Sequence, residues 1–215
     1  MNLLNNSSFE GPYIQHENEV KVAPDWMPFF SGGEAPEGGE RCYRPEYKPV
    51  LRSLAPYRVY SGDSAQCWFV RWKVMDAGVY QTVQVPVGAL MTFRAQVHGW
   101  CSQSDDPHKA DGELYARLGM DLQGGMDAFA ATVLWTNWER VTAEYQSLEM
   151  QAVADAPYCT VFVRAWNKWR LSHNDLYLDA ATLEVDGTTP VPDGDYVTHT
   201  ELAAAFRALA ATFDR

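Results

Sequence analysis

What this sequence lacks narrows its task first. No apolar run approaches the ~20 residues of a membrane-spanning helix, so no membrane insertion is expected. No block of Lys or Arg tracks along the chain. The 17 basic residues are scattered, and 28 acidic ones leave a net charge of −11. That balance argues against nucleic acid as a partner. There is no CxxC, so a zinc ribbon or thioredoxin-type motif is not expected. GxSxG, HExxH, the P-loop and GxGxxG are all missing. His173-Asn174-Asp175 has no nucleophile at a fixed spacing, and acidic residues alone do not define a glycosidase pair. The expectation is a protein without catalytic activity. The opening MNLLNNSSFE has neither a basic n-region nor an apolar h-region, so it does not read as a signal peptide. No internal repeat of fixed period is visible.

What is present is a globular composition with many aromatic residues. The chain has 215 residues, 47% hydrophobic and 13% aromatic, with eight Trp. A chain of this length buries roughly 70% of its unfolded surface and needs no staples. Its four cysteines, Cys42, Cys67, Cys101 and Cys159, allow three pairings, among which sequence does not choose. Three of them lie in or beside apolar runs and read as buried thiols behaving as small hydrophobes.

Most of the chain alternates with period two. Residues 79–85 put Val79, Gln81, Val83 and Val85 on one side. Residues 91–101 put Met91, Phe93, Ala95, Val97, Gly99 and Cys101 together, opposite Thr92, Arg94, Gln96, His98 and Trp100. Residues 114–122 oppose Leu114, Ala116, Leu118, Met120 and Leu122 to Tyr115, Arg117, Gly119 and Asp121. Residues 158–166 oppose Cys159, Val161, Val163 and Ala165 to Thr160, Phe162, Arg164 and Trp166. Shorter strands are predicted at 66–74, 138–153 and 176–185. Gly- and Asp-containing turns separate these runs, as at Ser61-Gly62-Asp63 and Asp111-Gly112. Many short alternating strands between such turns predict an all-β sandwich or barrel. Residues 31–40 read as a polar loop. Residues 186–196 read as a linker, and 197–215 as an appended amphipathic α-helix with Thr200 as N-cap. Its stripe is Leu202, Phe206, Leu209 and Phe213. That stripe either packs back on the sandwich or docks a partner.

The ordered motifs carry a resemblance over residues 1–185. Asn2-Leu3-Leu4-Asn5-Asn6-Ser7-Ser8-Phe9-Glu10, Trp26, Ser61-Gly62-Asp63-Ser64-Ala65, Gly78-Val79-Tyr80-Gln81-Thr82-Val83 and Asn174-Asp175-Leu176-Tyr177-Leu178-Asp179 follow one another. This set resembles the jelly-roll carbohydrate-binding modules of the family 4 and 9 type, in the galactose-binding-like superfamily. Ser7 departs from the Gly usual there. A narrower likeness, in the loop Gly119 to Asp127 before Val133-Leu134-Trp135, is to a subgroup of bacterial domains in that superfamily. The resemblance implies a jelly-roll β-sandwich of two antiparallel sheets. It also implies a structural calcium ion (Ca2+) where the first and last strands meet, with Glu10 and Asp179 at the matching positions. Hard oxygen ligands suit that ion.

A sugar-binding face needs aromatic planes beside polar groups that fix hydroxyls. Gln96, His98 and Trp100 lie on one predicted strand, Tyr115 and Arg117 on a second, and Arg164 and Trp166 on a third. If these strands adjoin, one sheet presents such a face. The alternative is that the tryptophans pack and the arginines pair with acidic neighbours. Trp68, Trp72, Trp135, Trp138 and Trp169 are assigned to the core. His98 reads as a hydrogen-bonded sheet residue. Two functions remain open. One is a non-catalytic module that recognises carbohydrate on a cell surface or polymer. The other is a structural or decoration protein of a larger assembly, such as a phage capsid or tail, docking through its C-terminal helix. Either expects an extracellular or virion-associated protein, and the second allows a homo-oligomer.

Overall fold

In the computed structural model, which describes residues 1–185, the chain forms thirteen strands and one short 3-10 turn at Pro56–Arg58. The strands are β1 (Ile14–Glu17), β2 (Val20–Val22), β3 (Met27–Phe30), β4 (Glu46–Leu51), β5 (Ser64–Val70), β6 (Asp76–Gln84) and β7 (Leu90–Ser102). They continue as β8 (Leu114–Asp121), β9 (Val133–Trp135), β10 (Glu139–Arg140), β11 (Gln146–Val153), β12 (Tyr158–Asn167) and β13 (His173–Val185). A seven-stranded sheet runs β1-β2-β4-β5-β13-β7-β11. A six-stranded sheet runs β10-β8-β12-β6-β3, with β9 also paired to β8. Among the described residues every pairing between these strands is antiparallel except the short β2–β4 contact at Val20 and Tyr47, which is parallel. The predicted linker, the helix and its stripe of Leu202, Phe206, Leu209 and Phe213 lie outside the described residues.

The alternation read from sequence sets the core. Met91, Phe93, Ala95, Val97 and Cys101 of β7 face Leu114, Ala116, Leu118 and Met120 of β8 and Cys159, Val161, Val163 and Ala165 of β12 across the sandwich. Leu176 and Leu178 of β13 complete the layer with Trp68. All four cysteines are buried and free, and burial pushes the Cys101 and Cys159 thiols up to about 12. Gln81 occupies an inward position among valines. It exchanges two hydrogen bonds with the Asn5 backbone, so its amide is satisfied while it holds the N-terminal segment.

The resemblance motifs prove to be clasps. Phe9 packs on Trp26 with ring centroids 4.7 Å apart, and the Trp26 indole donates to the Asn6 carbonyl. The Asn2 side chain accepts from the Leu4 and Leu183 amides, tying the first residues to β13.

The predicted 138–153 strand is two strands. β10 belongs to the six-stranded sheet and β11 to the seven-stranded one, so the chain crosses between layers at 141–145. The predicted 66–74 strand runs 64–70 instead, because the chain turns at Trp72, which has a φ of 56°.

Candidate functional site

The seven side chains grouped from sequence divide between the two sheets. Gln96, His98 and Trp100 stand on β7 of the seven-stranded sheet. Tyr115, Arg117, Arg164 and Trp166 stand on β8 and β12 of the other. One shared face is therefore not formed: alternation gives the side of a strand, whereas sheet membership follows from pairing with remote strands.

The face of the seven-stranded sheet is roofed. Residues 52–63 cross it, and the Arg58 guanidinium lies 4.4 Å from the Trp100 ring and 4.9 Å from the Tyr177 ring. Val59, Val50, Ala65 and Cys67 fill the space beside them. Tyr145 donates to the Arg58 carbonyl at 2.9 Å. Trp100 is only 9% exposed and stacks on His173 at 3.5 Å. His98 is buried against Tyr145 and Tyr177. Burial, reinforced by the Arg58 charge, lowers its pKa to about 4. Asp175 accepts from the Tyr177 hydroxyl, and burial raises its pKa.

The face of the six-stranded sheet is aromatic and open at Tyr115, Arg117, Trp135 and Trp138, while Phe162, Arg164 and Trp166 are buried within it. Arg164 and Arg117 are direct cross-strand neighbours, and Arg164 also faces Gly78 of β6. A Cβ at Gly78 would meet the Val163 carbonyl at 1.9 Å and the Phe29 ring at 2.7 Å, so only glycine fits there. Phe162 sits between Tyr80 and Gly119 in register, under the Phe29 and Trp135 rings. Tyr115 stacks on Trp166 at 5.4 Å, and Trp138 meets Trp166 edge-on at 6.1 Å. Arg117 carries Trp135 at 4.3 Å and Trp138 at 4.1 Å on its guanidinium. Phe129, 46% exposed, covers Arg164 at 4.7 Å.

The two arginines differ in their partners. Arg164 grips Asp76 through Nε and Nη2, one bond to each carboxylate oxygen. Arg117 has no acidic partner among the described residues, and its buried Nε has no acceptor. Burial first, and the Arg164 charge second, bring its pKa down to about 10. Asp121, at the end of this face, is a loop anchor: it accepts from Thr132 Oγ1 at 2.6 Å and from the Gln123 amide at 2.9 Å.

The assignment of five tryptophans to the core holds for Trp68 alone. Trp135 and Trp138 are half-buried on the open face, and Trp72 and Trp169 are 58% and 52% exposed. Trp135 and Trp138 lie on or beside strands of two or three residues, too short to show a period. The signal that marks this face was available elsewhere. Tyr80 and Phe162 interrupt the polar side of otherwise regular strands.

Glu10 and Asp179 converge on one turn. Glu10 accepts from the Asp63 amide at 2.8 Å and the Ser64 hydroxyl at 3.1 Å. Asp179 accepts from the Tyr60, Ser61 and Ala180 amides. Gly62 lies between, with φ of 61°, and a Cβ there would fall 1.8 Å from Glu10 Oε1. Burial raises Asp179 to about 6, and the Glu10 charge adds to the rise. Among the described residues no group of three or more His, Cys, Asp or Glu is placed to hold a metal. The donors fit a hard cation in part. Two carboxylates that repel each other suit it, but most of their oxygens already face amide donors.

No protein-family model matches the chain, and no curated protein matches it. Solved structures do. A family 61 carbohydrate-binding module in complex with β-1,4-galactotriose aligns at TM-score 0.55 and 12% identity, over 86% of this chain and 99% of that one. A Stig cyclase from Fischerella sp. TAU aligns at TM-score 0.54 and 16% identity, over 86% and 96%. The enzymatically active domain of bacteriophage CBA120 tailspike protein 4 aligns at TM-score 0.50 and 12% identity, over 86% of this chain and 21% of that longer one. Such likenesses establish architecture and not activity, since binding modules and cyclases share it. The fold of this chain is similar to that of the jelly-roll carbohydrate-binding modules, as its ordered motifs anticipated.

Proposed function

We propose that this protein is a non-catalytic binding module for carbohydrate and that the open face of its six-stranded sheet is the binding site. One observation carries the reading. Half-buried aromatic rings, Trp135, Trp138 and Tyr115, surround the half-buried Arg117, with its cross-strand neighbour Arg164 buried beside it. Flat rings offer stacking surfaces for sugar C–H groups, and guanidiniums offer fixed donors to hydroxyls. The fold likeness to a module solved with a galactotriose supports the same reading. Of the seven residues picked from sequence, Tyr115, Arg117, Arg164 and Trp166 belong to this site. Gln96, His98 and Trp100 lie on the other sheet, where His98 and Trp100 are packed beneath the 52–63 segment. An extracellular or virion-surface setting follows from the ligand class. Among the described residues no helix is long and apolar enough to cross a membrane. The test is a pull-down on plant and bacterial polysaccharides. Binding is expected to be lost in Trp138→Ala and kept in Trp100→Ala. Absence of binding on every polymer would overturn the reading.

We also propose a calcium ion at Glu10 and Asp179, which would join the N-terminal segment to β13 and offset their mutual repulsion. Melting in calcium against chelator is expected to show a higher midpoint with calcium, lost in Asp179→Asn. An unchanged midpoint with no metal by elemental analysis would overturn it.

A further inference from the structure

The open face sets two arginines side by side in a chain of net charge −11. Arg117 and Arg164 stand directly opposite each other across β8 and β12, a like-charge pairing that costs stability unless something offsets it. One carboxylate, Asp76, offsets one of the two. The acids at the rim are engaged elsewhere. Glu113 takes the Tyr115 hydroxyl and the Trp169 indole, and Asp121 holds the 123–132 loop. The buried side-chain polar atoms left without partners on this face, Arg117 Nε and Trp166 Nε1, are both donors.

The face also contains its own template for a ligand. Arg164 binds Asp76 along its Nε–Nη2 edge, the fork that matches a planar carboxylate. Arg117 has no such carboxylate: its Nε is buried without an acceptor, and its guanidinium lies against the rings of Trp135 and Trp138. Side chains that clamp a guanidinium in place reduce the rotamer entropy lost when it binds.

We infer that the ligand is an acidic glycan, and that Arg117 binds the carboxylate of a uronic acid residue while the flanking indoles take the sugar rings. This rests on the glycan-binding reading of the same face and adds its charge class. The carboxylate would supply a second anion beside Asp76, one for each arginine of the pair. A neutral glycan would leave that pair as costly as before.

The test is calorimetry of the full chain with oligomers of galacturonate, guluronate and glucuronate, each beside its methyl ester, and with neutral β-1,4-galactan. At least one acid is expected to bind about tenfold or more tightly than its ester, a difference of about 1.4 kcal/mol. The preference should shrink as salt rises from about 0.05 to about 0.5 M. Arg117→Gln should erase it, and Arg117→Lys, which keeps the charge and loses the fork, should restore part. Melting checks that both variants fold. If esters or neutral galactan bind as tightly as the acids, and Arg117→Gln changes nothing, the charge assignment is wrong and the glycan site stands. If none of these glycans binds, both fall.

Discussion

On the seven-stranded sheet the outward side chains His98, Trp100 and Tyr177 lie beneath the 52–63 segment. On the six-stranded sheet their counterparts Arg117, Phe162 and Arg164 lie under the rings of Trp135, Trp138 and Phe129, which leave Arg117 half-buried. Both faces arise from the same period-two pattern and both mix aromatic with charged residues. They differ in what crosses them. A long excursion between β4 and β5 turns one face into a second small core. The corresponding excursions on the other side, at 33–42 and 123–132, cover only its ends, where Ala35 and Cys42 meet Trp166 and Ala128 meets Phe162. The lesson is that an aromatic on a polar strand face is not by itself a binding residue. Trp100 and Trp166, at 9% and 3% exposure, are more buried than Trp135 and Trp138.

The largest expected effect that tests this contrast is on stability. Trp100→Ala removes a ring that fills the roofed face and should cost about 3–5 kcal/mol in denaturant unfolding, with glycan affinity unchanged. Trp138→Ala should cost less in unfolding and remove binding. A Trp138→Ala protein destabilised as much as Trp100→Ala, with binding intact, would break the distinction.

Acid comes next. His98 has a folded-state pKa of about 4 against an ordinary 6.5, so the folded state holds fewer protons between these values. Its contribution is complete above pH 6.5 and is lost as pH falls through about 4, up to roughly 3 kcal/mol. Asp179 works in the opposite direction, because its raised value favours the folded state at low pH and that gain is lost as pH rises through about 6. The wild-type curve is the sum, so variants separate the two. His98→Gln should flatten the acid loss, whereas Arg117→Gln, on the open face, should leave it as it is.

The smallest expected effect is at Trp72. It is more than half exposed, so Trp72→Ala should shift unfolding by less than about 0.5 kcal/mol and leave binding untouched. A large loss there would show a packing role that its exposure does not suggest.

The sandwich was legible because alternation is a local signal. Met91 to Cys101 and Cys159 to Ala165 point inward as their spacing requires, since either sheet must bury one side. The motifs at Phe9, Trp26 and Ser61 to Ser64 were legible as a family resemblance, whereas their contacts with the N-terminal segment show only in the fold. The proposed site was half legible. Tyr115, Arg117, Arg164 and Trp166 could be picked from strand polarity. Their separation from Gln96, His98 and Trp100 depends on β13 pairing with β7 and β12 pairing with β8, contacts made across tens of residues. The place of Trp135 and Trp138 beside Arg117 was hidden for a related reason. They flank Arg117 from segments of irregular backbone, where no period assigns a side.

The most direct measurement of the central claim uses the indole N–H signals of the eight tryptophans in a proton–nitrogen correlation spectrum, followed while the tightest-binding glycan is added. Trp135, Trp138 and Trp166 are expected to shift in a saturable way, while Trp26, Trp68 and Trp100 stay fixed. Shifts at Trp100 with Trp135 and Trp138 unmoved would place the ligand on the roofed face and contradict the account.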